Sequence, residues 1–118
     1  MINEDKIVKT SEISIKVGTN ENNVPVRMKW TAEDGQIENQ ETTAMFLSLW
    51  DKEDQTSMRI DLWVKEHTVD EMKVFFHQTL LAMSDTFERA TGEKNIMDDL
   101  RDYCYHFAEK MNILPPED

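Results

Sequence analysis

Asp102 and His106 stand four residues apart in "NIMDDLRDYCYHFAEKM", a stretch that also holds Asp98, Asp99 and Cys104. A carboxylate and an imidazole one helical turn apart can share a divalent cation. A helical two-metal site needs a second such motif, and His77 has no Glu three residues ahead of it. An acidic helix carries acid–histidine pairs on its solvated face without any ligand, and that is the more economical reading here. His67, at a strand-to-helix turn, and His77, within a helix, read as structural. Cys104 lies between Tyr103 and Tyr105, and His106, two residues on, points to a different helix face. Without a base or oxyanion donors, the thiol reads as a part-buried structural group. Asp70–Glu71 and Asp98–Asp99 are expected in the first turns of helices, where carboxylates favour the dipole. Three glycines cannot build a phosphate-cradling loop. No catalytic set, metal site or cofactor is expected, and an enzyme is not.

Composition narrows the partners. A formal net charge of −11 on 118 residues, with 13 Lys and Arg scattered among 24 acids, disfavours nucleic acid and anionic membranes. A single cysteine permits no internal disulfide. No apolar run approaches the ~18 residues of a membrane span, and the start, "MINEDKIVKT", has no basic segment followed by an apolar one. One domain over residues 1–118, ordered from about 8 to 113, is expected in the cytoplasm. The partners that remain are proteins.

Two periodicities organise the chain. "SEISIKV" and "VPVRMKWTA" alternate apolar and polar residues across the turn-rich "GTNENN", which predicts two antiparallel strands. Pro25 cannot donate to a ladder and suggests a sheet edge. Glu33–Glu41 reads as a polar crossover loop. "TAMFLSLWD" and "SMRIDLWVK" alternate again, and an even loop, "KEDQ", brings their apolar sets onto one side. That register sets Leu49 against Met58, Leu47 against Ile60 and Met45 against Leu62. A helix over Thr42–Trp50 is the competing reading, because Ala, Met and Leu are good helix formers.

The second half has helical period. Thr68 and Glu71 have capping-box spacing, Gly92 suits a C-terminal cap, and Met72, Phe76, Leu80, Met83 and Phe87 form a stripe. Ile96, Leu100, Tyr103, Phe107 and Met111 form a second, ended by "LPPED". The expected fold is α+β: a four-stranded antiparallel sheet with two C-terminal helices packed on one face, a ββββαα two-layer sandwich.

In that arrangement the sheet's other face carries Phe46, Trp50 and Trp63 among Ser48, Arg59 and Asp61. Trp50 falls opposite Ser57 at the turn end and Trp63 opposite Ala44 at the far end, too distant to stack on each other. Arg59, diagonal to Trp50, is placed for a cation–π contact. Phe46, Trp50, Arg59, Asp61 and Trp63 are therefore the candidate protein interface. Against it stands a minor core, with a loop or the N-terminal segment folded over the rings.

At "RIDLWVKE", "VDEM", "FFHQTL" and "DTFERATG" the chain resembles the gliding-motility protein GldC family, from about Ser11 to Met111. "VKEHT" and the tail beyond Met111 are less typical. The resemblance implies a small accessory protein of the gliding apparatus, a system associated with protein secretion, and carries over no catalytic residues. It leaves two function classes: a non-catalytic adaptor, expected to be a homo-oligomer, or a holdase similar in layout and acidity to the export chaperone SecB.

Overall fold

A computed structural model describes residues 5–113. In order the elements are β1 (Ile13–Thr19), β2 (Pro25–Ala32), β3 (Ile37–Thr42), β4 (Ala44–Asp51), β5 (Thr56–Trp63), α1 (Val69–Thr91) and α2 (Lys94–Met111). The chain divides into two compact units: Met1–His67, which holds the strands, and Thr68–Asp118, which holds the helices. The class is α+β as expected. The single four-stranded sheet is not found: among the described residues five strands form two antiparallel sheets, β1-β2-β3 and β4-β5.

The extra strand comes from the segment expected to cross over as a loop. Glu33–Gln36 is a tight turn, and Ile37–Thr42 pairs with β2, setting Met28 against Thr42 and Lys29 against Glu41. Apart from Ile37 this strand is polar, so it has no hydrophobic alternation to betray it. Its pairing rests on the backbone ladder and on local polar contacts. Arg27 lies 3.7 Å from Glu41, and the Asn39 amide donates to Thr31 Oγ1 at 3.0 Å beside the ladder's register shift.

Pro25 is a second correction. The strand it opens is the central one of its sheet. Its missing N–H is tolerated because it stands at the first position, opposite Thr19, where the β1–β2 register shifts. The Pro25 carbonyl accepts the Lys65 amide at 3.0 Å, which ties the start of β2 to the chain leaving β5.

The β4–β5 hairpin has the expected register throughout, from Ala44 against Trp63 to Asp51 against Thr56. Thr42–Trp50 is therefore not helical. Asp51 holds the turn: its Oδ1 accepts the amides of Glu53 at 2.9 Å and Asp54 at 3.1 Å. The three hairpin turns each contain a non-glycine residue in the left-handed region, Asn23, Gln36 and Gln55. Asn tolerates that backbone better than Gln, whose side chain cannot bond locally as Asn does.

In the helical unit, α1 starts on a complete capping box: the Glu71 amide donates to Thr68 Oγ1 at 3.0 Å and the Thr68 amide to Glu71 Oε1 at 3.0 Å. It ends at Gly92, φ 78°, whose N–H reaches the Glu88 carbonyl at 2.8 Å. The second helix begins at Lys94, so Asp98 and Asp99 lie beyond its first turn, which contains no acid. Their expected dipole role fails. Asp98 instead binds Lys94 at 2.7 Å and Arg101 at 3.0 Å.

The residues that become buried differ from the apolar stripes. They are Ser84 on α1 and Met97, Cys104 and Ala108 on α2, while Phe76, Met83, Phe87, Ile96 and Tyr103 stay exposed. Three of these, Ser84, Cys104 and Ala108, are small, and small side chains let two helix axes approach closely where α1 and α2 meet. Phe76 and Phe107 meet there, centroids 5.7 Å apart, and His77 stacks on Phe107 at 6.1 Å.

Candidate docking face on the β4–β5 hairpin

A two-stranded sheet has one face on each side, and alternation assigns every side chain to one of them. Ala44, Phe46, Ser48 and Trp50 of β4 share a face with Ser57, Arg59, Asp61 and Trp63 of β5. Trp50 is 66% exposed and Trp63 53% exposed; Phe46, between them along the strand, is half-buried. The two indoles sit at opposite ends, against Ser57 and Ala44 as expected. Exposed indoles combine a large apolar area with an N–H donor, the composition of contact residues in protein interfaces.

Arg59 is used differently from the expectation. Its guanidinium lies along its own strand and grips Asp61, with Nη2 to Oδ1 at 2.8 Å and Nε to Oδ2 at 3.3 Å. The fork geometry holds both groups flat on the face between the tryptophans. A shallow groove lined by Val24, Pro25, Asp61, Trp63 and Lys65 continues it at the Trp63 end. Nearby, Thr43 Oγ1 and His67 Nδ1 lie 2.9 Å apart, and His67 bonds the Val64 carbonyl through its amide.

The reverse face carries Met45, Leu47, Leu49, Met58, Ile60 and Leu62. Its cover is graded: Val64, just beyond β5, is buried, Leu62 and Leu47 are half-buried, and Leu49, Met58 and Ile60 are exposed. Sequence reasoning assigned this side to the core as a whole. Alternation identifies a face but not how much of its length finds a neighbour.

The helical unit holds the other chemistry-bearing residues. His106 is beside Tyr103, ring centroids 5.8 Å apart, and His77 is against Phe107. Cys104 is fully buried, which raises its thiol pKa. Among the described residues no three His, Cys, Asp or Glu side chains gather as a metal site would require. Among the same residues no helix is long and apolar enough to cross a membrane.

The class defined here is an α+β protein whose most distinctive surface is an open hairpin bearing two exposed tryptophans. A family model described as "Gliding motility-associated protein GldC-like" matches residues 25–113, well over half of the chain. The chain belongs to the GldC-like family. The match begins at β2, so β1, which the sequence resemblance included, lies outside it. No curated protein and no solved structure gave a match.

Proposed function

We propose that this protein is a non-catalytic accessory protein of the bacterial gliding apparatus that works in the cytoplasm as an adaptor. It docks another component on the face of Phe46, Trp50, Arg59, Asp61 and Trp63. The observation that carries this reading is the exposure of Trp50 and Trp63 on a hairpin inside the family-matched region. Two indoles left more than half in water cost solubility, and an interface recovers that cost. The acidic balance favours a partner with a basic rim around an apolar pocket.

The test is replacement of the chromosomal gene in a gliding bacterium by one encoding Trp50→Ala/Trp63→Ala. Normal protein level with lost colony spreading supports docking by this face. Normal spreading at normal protein level removes it.

A second reading, a SecB-like holdase, draws support from the exposed apolar groups Leu49, Met58 and Ile60 on the reverse face and Met83 and Phe87 on α1. A holdase suppresses aggregation of several unrelated unfolded clients. Failure with every client tried eliminates it.

A further inference from the structure

Among the described residues, one edge of β5 has no partner strand in its sheet. The Val64 amide donates to the Thr43 carbonyl at 2.9 Å, in register with the hairpin, so Val64 is a bonded position facing the β4 side. Alternation then turns the backbone groups of Leu62, Ile60 and Met58 toward β4. Those of Ser57, Arg59, Asp61 and Trp63 point out from the open edge. Proteins blunt such edges with proline, bulges or lysine. β5 has no proline, bulge or lysine over eight residues, its two charges Arg59 and Asp61 are opposite in sign, and its ladder to β4 is unbroken. By contrast β1 has Lys16 and a register shift at Gly18/Thr19, and β3 pairs through a shifted register.

We infer that β5 pairs with β5 of a second copy, antiparallel about a two-fold axis at Ile60, to make a four-stranded β4-β5-β5-β4 sheet. The side-chain order selects this partner. With Ile60 facing its own copy, Arg59 of each chain opposes Asp61 of the other, and both are outward-facing positions able to exchange two backbone hydrogen bonds. Met58 opposes Leu62, and Ser57 opposes Trp63. The neighbouring bonded registers set Arg59 against Arg59 or Asp61 against Asp61, so charge rejects them. The open edge of β4 has no such code, since Ala44, Phe46, Ser48 and Trp50 carry no charge. The open edge ends just past Trp63, where the Lys65 amide donates to the Pro25 carbonyl at 3.0 Å; the small Ser57 of the second copy falls at that end, opposite Trp63. Pairing by the edge leaves the Trp50 face open and is independent of any role in gliding.

Light scattering and sedimentation of the full chain test the pairing. Wild type is expected to be a dimer. Arg59→Asp, in an exposed pair, is expected to weaken it by more than ~10-fold while the circular dichroism spectrum stays unchanged, because both cross-pairs become like-charged. Adding Asp61→Arg to that variant restores opposite charges and the dimer. In a Cys104→Ala background, Ile60→Cys is expected to oxidise to a covalent dimer readily, and Met58→Cys poorly. Trp50→Ser leaves the dimer intact. A wild-type monomer overturns the inference, as does a dimer indifferent to Arg59→Asp or an Ile60→Cys variant that does not cross-link. Dissociation by Trp50→Ser with the edge variants silent moves the seam to the face and also overturns it.

Discussion

Arg101 of α2 donates through Nη2 to Glu88 of α1 at 2.8 Å and to Asp85 at 2.9 Å, while Nη1 holds Asp98 of its own helix at 3.0 Å. One guanidinium thus joins three carboxylates on two helices, and those hydrogen bonds raise its pKa. Its planar fork can serve three acceptors at fixed angles, which an ammonium on a flexible stem cannot. Arg101→Ala is expected to lower the thermal midpoint, and Arg101→Lys to recover only a minor part of the loss. Equal midpoints for Lys and Arg would show that charge alone suffices.

The Lys94–Asp98 pair predicts a pH profile. The hydrogen bond from Lys94 lowers the Asp98 pKa below its ordinary 3.8, so the contribution of Asp98 is complete above that value and lost as pH falls through the lowered one. The same bond raises Lys94 above 10.5, so its contribution is present below that value and lost as pH rises through the raised one. The contribution of this pair, read by circular dichroism as the difference between wild type and Asp98→Asn, should be level between these limits. Asp98→Asn should shrink both the acid and the alkaline decline. The effect is small, since the pair is solvent-screened.

Gln55 closes the β4–β5 turn at φ 53°, with its amide on the Asp51 carbonyl at 2.8 Å. A side chain in this region costs ~1 kcal/mol that glycine avoids, against a larger loss of chain entropy. Gln55→Gly is therefore expected to be neutral or to stabilise by up to ~1 kcal/mol in urea unfolding. Gln55→Val, branched at Cβ, should destabilise by more than that.

Cys104 predicts a silent thiol. Its burial and raised pKa keep thiolate scarce and inaccessible. A thiol reagent at neutral pH should label the native protein slowly, with labelling rising in step with unfolding across a urea titration. Rapid native labelling would contradict the burial.

Much was legible locally. The capping box of Thr68 and Glu71, the cap at Gly92 and the full β4–β5 register follow from short-range spacing, because backbone bonds and alternation are properties of neighbours in the chain. The same alternation sets Phe46, Trp50 and Trp63 on one face of the hairpin. β3 was not legible: a strand with one apolar side chain is specified by the strand beside it, here through Met28 against Thr42 and Lys29 against Glu41. The α1–α2 contact is not legible for a related reason. Hydrophobic spacing ranks side chains by their aversion to water, whereas a close helix contact also favours small ones: Ser84, Cys104 and Ala108 are inside with Met97, and Met83, Phe87 and Tyr103 are outside. The sequence by itself determined both helices, four of the strands, the α1 caps, the β4–β5 register and charge, since each depends on residues a few positions apart. Only the tertiary structure decided the split into two sheets, the central place of β2 and which apolar side chains stay in water, because each depends on what a distant segment brings alongside.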